Sequence, residues 1–288
     1  MFALGAYIMW GIAPVYFKSL TEVPAYEILA HRIIWSCLFV ALLLTFSKQW
    51  RAVRAVLKHP KQLSILALTS LLIGGNWLIF IWSINNNRML DASLGYYINP
   101  LFNVLLGMLF LGERFRSAQW VAIVLALIGV LIQLLSYGSL PWIALSLAIS
   151  FSIYGLLRKQ INLAALPGLF VETLWLVPLA LTYLFILADS STSHFTNNSI
   201  TLNVLLLSAG VVTTLPLLCF VAAATRLRLS TIGFFQYIGP SLMFILATSI
   251  YEEPLEPMKL LTFSFIWLGL AIFTWDALRQ RRRPKTAT

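Results

Sequence analysis

The sequence is poor in charge, in cysteine and in long polar stretches. Only 10% of its 288 residues are Asp, Glu, Lys or Arg, whereas soluble domains average roughly 25%. Hydrophobic residues make up 60%, more apolar surface than a water-soluble core can hide. Period-2 alternation is also missing, and the apolar runs are continuous, which argues against a β-barrel. No His, Cys, Asp and Glu cluster has metal-ligand spacing. No glycine-rich phosphate loop opens a helix, so no ATP-driven engine is encoded, and there is no nucleophile elbow. Neither a metal nor a cofactor is expected, and an enzyme is not the leading reading. The two cysteines, Cys37 and Cys219, fall inside apolar segments and read as small packing residues rather than a disulfide. Met1 runs straight into an apolar segment with no basic region before it, so that segment is expected to stay as a membrane helix.

What the chain has instead is long apolar segments. A helix rising ~1.5 Å per residue needs about 20 apolar residues to cross a ~30 Å hydrocarbon layer. Ten segments are candidates, centred on residues 2–17, 26–47, 63–84, 92–112, 118–136, 140–157, 166–187, 203–224, 230–251 and 258–277. The expectation is an all-α polytopic membrane protein with ten transmembrane helices.

The net charge of +10 invites a nucleic-acid reading, but its distribution argues for a membrane. Basic residues concentrate in alternate loops: Lys48, Arg51, Arg54, Lys58 and Lys61; then Arg114 and Arg116; Arg158 and Lys159; Arg226 and Arg228; and a tail with Arg279, Arg281, Arg282, Arg283 and Lys285. The opposite side holds Lys18, Arg88 and Lys259, and Arg32 lies inside the second span. By the positive-inside rule, both termini are expected in the cytoplasm. In loop 48–62, Trp50, Val53 and Leu57 share a face beside Arg51, Arg54 and Lys58, the pattern of a short interfacial helix on an anionic leaflet.

The chain also repeats itself. Tyr97-Ile98-Asn99-Pro100 returns 140 residues later as Tyr237-Ile238-Gly239-Pro240. Arg88 returns as Arg228, Leu106 as Leu246, Glu113 as Glu253 and Gly129 as Gly269, with no gap. This predicts two copies, residues 1–138 and 139–288, with five spans each. Five is odd, so the second copy must enter the membrane from the opposite face. Two inverted five-helix repeats about an axis in the membrane plane are the expected architecture.

Several residues stand out as carriers of chemistry. Pro100 and Pro240 fall near the middle of spans four and nine, where proline deprives the carbonyls of Tyr96 and Gln236 of their helical partners. Each is expected to break its helix, with a packing kink as the simpler alternative. Gly95, Tyr96, Tyr97, Asn99 and Asn103 surround the first; Gly233, Gln236, Tyr237 and Gly239 surround the second. A matched interruption in both halves is the best sequence pointer to a central binding site. Arg32 and Glu172 align at the repeat offset, as do Trp35 and Trp175. A charge within a span costs from ~2.5 kcal/mol upward and usually faces protein or water. In inverted repeats Arg32 and Glu172 lie at opposite depths, so no salt bridge between them is expected. Glu27 and His31, spaced i, i+4, share a face and could hydrogen-bond. Trp10-Gly11 and Tyr154-Gly155 recur at a nearby offset and suit cavity walls, while Asn76 is an amide deep in an apolar span that either joins helices or contacts solute. The nominated solute contacts are Trp10, Arg32, Asn76, Tyr97, Asn99, Tyr154, Glu172, Gln236 and Tyr237, with His31 and Glu172 as candidates for proton coupling.

These residues carry a family resemblance. Leu94-Gly95-Tyr96-Tyr97-Ile98-Asn99-Pro100, followed by Leu109-Phe110-Leu111-Gly112-Glu113 and Gly129, resembles the EamA-type unit of the drug/metabolite transporter superfamily. Trp10-Gly11 with Pro14, His31-Arg32 with Trp35-Ser36, and Glu172-Thr173 with Trp175 are similar to its RarD branch, whose members are called chloramphenicol-sensitivity proteins. The second half departs from the pattern, since Gly112-Glu113 becomes Glu252-Glu253 and Asn99 becomes Gly239. The resemblance implies ten helices, a bacterial inner-membrane location and secondary transport of small metabolites, often outward.

The leading expectation is therefore a secondary transporter, an exporter of small metabolites or amino-acid-like solutes, working by alternating access. Its partners would be a small-molecule solute and membrane lipids, with a homodimer left open and no nucleic acid. Arg32 would attract an anionic group, and Glu172 would hold a cationic group or a proton. Two alternatives remain: an intramembrane enzyme or scaffold using Glu27, His31 and Arg32, and a passive channel.

Overall fold

The computed structural model describes residues 1–86, 88–137, 142–193, 195–249 and 257–282. The expected repeat boundary at 138–139, Glu253, and Arg283 and Lys285 of the tail lie outside the described residues. Among those described, the regular structure is helical throughout. The elements are α1 (Phe2–Lys18), α2 (Ala25–Phe46), α3 (Trp50–Leu57), α4 (Pro60–Asn85), α5 (Met89–Leu111), α6 (Ser117–Tyr137), α7 (Trp142–Ile161), α8 (Ala165–Thr182), α9 (Ile200–Ala224), α10 (Leu229–Gln236), α11 (Ile238–Ser249) and α12 (Pro257–Arg282). A π-helical turn, Tyr183–Leu187, prolongs α8. Helices follow from the composition: in hydrocarbon every backbone N–H and C=O must be paired within the segment.

Among the described residues, seven helical stretches are long and apolar enough to cross a membrane: Ala25–Phe46, Pro60–Ser83, Trp142–Ile161, Ala165–Leu187, Ile200–Ala224, Leu229–Leu246 and Leu260–Arg279. Shorter apolar helices cover Phe2–Phe17, Gly95–Leu111 and Ser117–Ile132. The polarity is the reverse of a soluble domain. Leu38, Leu42, Leu71, Leu109, Leu131, Leu179 and Leu268 face outward, while Arg32, Asn99, Asn103, Arg158, Glu172 and Gln236 are buried. The chain is an all-α polytopic membrane protein.

Helix starts recur at a fixed distance. α1 and α7 begin at 2 and 142, α2 and α8 at 25 and 165, α4 and α9 at 60 and 200, α5 and α10 at 89 and 229, and α6 and α12 at 117 and 257, each pair 140 apart. Packing follows the same exchange. α5 packs on α7 as α1 packs on α10 and α11; α2 packs on α9 as α4 packs on α8; α1 packs on α9 as α4 packs on α7. α2 meets α8, α5 meets α10 and α6 meets α12. The last pair is reciprocal in detail. A Cβ on Gly129 would stand 3.0 Å from the Thr262 carbonyl, and one on Gly269 would stand 2.9 Å from the Ala122 carbonyl. Glycine at both places lets the two backbones touch.

Three details differ from expectation. α5 runs through Pro100 without interruption. A proline removes one hydrogen bond, and a helix packed on both flanks can absorb that as a bend. The expected segment 230–251 is divided at Tyr237 between α10 and α11, three residues before Pro240, where the missing bond falls at Gln236. Arg158 is not a loop cation: it lies within α7 and is fully buried. Loop 48–62 holds α3, with Val53 and Val56 buried, Arg51 and Arg54 exposed, and Trp50 edge-on to Phe170 of α8.

Candidate functional site

Five helices, α1, α2, α4, α5 and α7, together with the α10–α11 junction, line a cavity that is open to the surface. It lies toward the end of the bundle that carries the C-terminal turns of α1 and α4 and the N-terminal turns of α2 and α5. On α1, Tyr7, Trp10, Pro14 and Phe17 line it, because residues three and four apart share a helix face. Asn76, Trp77 and Phe80 of α4, Gly95, Tyr96 and Asn99 of α5, Leu147 and Phe151 of α7, and Gln236, Gly239 and Pro240 complete the wall with Arg32.

Among the described residues, Arg32 is the charged group of this wall. Its Nε donates to Thr213 Oγ1 at 2.8 Å, and its guanidinium carbon stands 4.8 Å from the centre of the Trp77 ring and 5.2 Å from that of Phe17. Nη1 is buried with no hydrogen-bond partner. The amides are part wall and part fastening. Asn76 Nδ2 donates to the Leu147 carbonyl and to Ser150 Oγ, both at 2.9 Å, tying α4 to α7. Asn99 Nδ2 donates to the Ala148 carbonyl at 2.9 Å, and Asn103 Nδ2 bridges Asn99 Oδ1 and Gln236 Oε1 at 3.1 and 3.3 Å.

One end of the cavity is closed by rings. Trp10 lies 5.6 to 5.9 Å from Tyr7, Phe151 and Phe220, and Phe151 and Phe220 are 4.9 Å apart. Tyr154 stacks on Phe220 at 6.0 Å. Past this layer, between α4, α7 and α8, sits a second polar cluster. Glu172 Oε1 accepts from Thr69 Oγ1 at 2.5 Å, and Oε2 accepts from Tyr154 OH at 3.4 Å. Arg158 Nη1 stands 3.7 Å from Glu172 Oε1, an ion pair in which both side chains are almost wholly buried. The three guanidinium nitrogens of Arg158 make no hydrogen bond. Gly168 leaves room for this group, since a Cβ there would meet the Arg158 guanidinium.

The nominated residues therefore divide. Trp10, Arg32, Asn76, Asn99, Gln236 and Pro240 line the cavity. Tyr154 and Glu172 belong to the cluster behind the rings. Tyr97 packs edge-on to Phe263, and its carbonyl accepts from Tyr237 OH at 3.3 Å, so this repeated tyrosine pair joins the halves rather than facing the cavity. Pro100 presents its carbonyl to Gly233 of α10. His31 is buried away from the cavity wall, with Nδ1 accepting from Trp35 Nε1 at 3.3 Å and the ring edge-on to Phe195. Its neighbour Glu27 accepts from Ser190 Oγ through Oε2, while Glu27 Oε1 and His31 Nε2 have no partner, so the Glu27–His31 hydrogen bond does not form. Tyr7, Phe17, Trp77, Phe80, Tyr96 and Phe151 line the cavity without having been nominated. The i, i+3 and i, i+4 spacing of Tyr7, Pro14 and Phe17 with Trp10 was the available signal.

Comparison with known proteins gives a consistent picture. A profile of the EamA-like transporter family matches residues 1–135. Protein RarD of Salmonella typhi is 60% identical over 283 residues, covering 98% of this chain and 96% of that protein. A Vibrio cholerae protein named as an uncharacterized transporter is 59% identical, covering 100% and 95%. A chloramphenicol-sensitive protein RarD of Pseudomonas aeruginosa is 32% identical, covering 98% and 95%. A solved crystal structure at 16% identity superposes with a TM-score of 0.72 over 97% of both chains, a likeness of fold.

Proposed function

The chain belongs to the RarD branch of the EamA-like transporter family and is a multi-pass membrane transporter; we propose that it is a secondary transporter exporting small metabolites or amino-acid-like solutes across the bacterial inner membrane by alternating access. One observation carries this reading: a cavity lined by a buried guanidinium whose Nη1 has no hydrogen-bond partner is backed by a ring layer and, behind that, an ion pair. A half-closed pathway with a polar site at its head is what alternating access requires of each end state.

The architecture behind the proposal is ten spans in two inverted repeats, and the helix starts spaced by 140 residues and the exchanged packing partners support it. The basic loops favour a cytoplasmic position for the end that carries Lys48 to Lys61, Lys159 and Arg226, and for both termini. The cavity then faces outward, and the Glu172 cluster lies on the cytoplasmic side. In the opposite state the halves exchange roles. Arg32 becomes covered, and Glu172, its repeat counterpart, becomes exposed to hold a proton or a cationic group. The interruption at Tyr237 gives α10 and α11 a place to pivot. The enzyme alternative loses support, because Glu27 and His31 each bind elsewhere and neither lines the cavity.

Paired cysteine accessibility tests the reading. In a chain with Cys37 and Cys219 replaced by serine, Phe80→Cys should react with a membrane-impermeant thiol reagent from outside. Tyr154→Cys should react only from inside, and the two reactivities should change in opposite directions when solute is added. Reaction of neither position from either side would overturn alternating access through this cavity. Flux in proteoliposomes should be saturable and lost in Arg32→Ala; unsaturable downhill flux would favour the channel.

A further inference from the structure

We propose that the cavity selects a monocarboxylate with a flat apolar body, and that it recognises no ammonium group. The inference rests on the transport reading for the cavity's role but concerns what the cavity binds. It begins with Arg32. A guanidinium stays charged under all ordinary conditions, and burying it without a counter-charge is costly. Its one described hydrogen bond goes to a neutral hydroxyl, its faces meet Trp77 and Phe17, and Nη1 has no partner. None of the described ion pairs includes it. A carboxylate is the planar, two-oxygen acceptor that matches a guanidinium's fork of donors.

Three buried glutamates among the described residues make their contacts elsewhere. Glu172 is paired with Arg158 behind the ring layer, Glu27 with Ser190, and Glu113 accepts from the backbone and hydroxyl of Ser230 at the start of α10. Among the described residues no carboxylate lines the cavity. An ammonium group entering it would meet the Arg32 charge with only amide oxygens and ring faces to offset the repulsion. Trp10, Phe80, Tyr96 and Phe151 give the wall flat surfaces suited to a ring or a short hydrocarbon. Amino-acid-like solutes would therefore be accommodated by their carboxylate and side chain, with their amine a penalty.

Equilibrium binding of radiolabelled phenylacetate to the purified full chain tests this, with unlabelled phenylacetate, L-phenylalanine, 2-phenylethylamine and acetate as competitors. The four vary the groups present: ring and carboxylate, ring with both charges, ring and amine, carboxylate alone. Phenylacetate should bind saturably, L-phenylalanine should compete more weakly, and 2-phenylethylamine and acetate should each compete at least tenfold more weakly. Arg32→Gln should lose at least tenfold in affinity, with Arg32→Lys intermediate. Equal competition by 2-phenylethylamine, unchanged binding in Arg32→Gln, or no saturable phenylacetate binding would each overturn the proposal. The order among competitors is read on the unaltered chain, so it does not depend on any variant folding. Proteoliposome flux separates the two levels. If the protein moves some solute of a broad panel but binds none of these anions, the solute class fails and the transport reading stands. If phenylacetate binds in the expected order and nothing is moved, the class stands and the transport reading fails.

Discussion

Breaking the Arg158–Glu172 pair from one side should be far more damaging than removing both charges. At 3.7 Å and an effective dielectric of about 20, two unit charges attract by about 4–5 kcal/mol. Removal of one partner from a buried pair typically costs about 3–5 kcal/mol, because the other charge is stranded, whereas replacing both by apolar groups is often neutral. The two single losses should be unequal. Glu172→Leu leaves a guanidinium that cannot be neutralised and that has no hydrogen bond of its own. Arg158→Met leaves a carboxyl that keeps Thr69 and Tyr154 as donors and can neutralise itself by binding a proton. We expect losses of about 4 kcal/mol for Glu172→Leu, about 2 for Arg158→Met and about 1 for the double variant, a coupling of about 5 kcal/mol. Reversible unfolding of the purified protein by SDS in mixed micelles would measure all three. A coupling below about 1 kcal/mol would refute the reasoning, since each charge would then be solvated on its own. Flux adds a second readout. The double variant should regain stability but not transport if Glu172 belongs to the pathway, and should regain both if the pair is only structural.

Two further predictions follow from the packing. Gly210 lies against the Trp35 backbone where α2 meets α9, so Gly210→Ala should destabilise by about 1–3 kcal/mol from overpacking, despite alanine's better helix propensity; an unchanged SDS midpoint would refute the contact. Glu113 accepts from the Leu229 and Ser230 amides at the start of α10, so Glu113→Ala should cost about 1–2 kcal/mol and speed hydrogen exchange at those amides, and unaltered exchange there would count against the cap.

The fold was legible because a bilayer leaves a backbone few choices, and span length follows from membrane thickness. The polar part of the cavity was legible for a related reason. An arginine or amide inside an apolar segment is expensive, so Arg32, Asn76, Asn99 and Gln236 stood out, and all four reach the cavity. Its aromatic part was not. Aromatic residues make up 14% of the chain, and which of them face inward depends on helix rotation, which the sequence does not print. Tyr96 and Tyr97 illustrate the point. The repeated motif favoured Tyr97, but one residue is about 100° of helix, and it is Tyr96 that lines the cavity while Tyr97 meets the other half. Arg158 was hidden by its address. At the end of an apolar segment beside Lys159 it read as one more positive-inside residue, and only the approach of α8 reveals it as the partner of Glu172.

The opposite charges at positions 32 and 172 bear on how the cycle would be driven. If the halves exchange as proposed, the site that offers a guanidinium when open to one side would offer a carboxyl when open to the other. An anionic solute is attracted in the first state and repelled in the second, unless the carboxyl has taken up a proton. The groups facing Glu172 are Arg158, Tyr154 and Thr69; once Arg158 moves away, only neutral hydroxyls remain to hold the carboxylate. Loading from the Glu172 side should then accompany protonation there, and solute flux should depend on a pH gradient. Glu172→Gln fixes the side chain in a neutral form of nearly the same shape. It should leave flux saturable but insensitive to the gradient in proteoliposomes. Wild-type flux that ignores the gradient, or Glu172→Gln flux that still follows it, would show that this carboxyl does not carry the coupling.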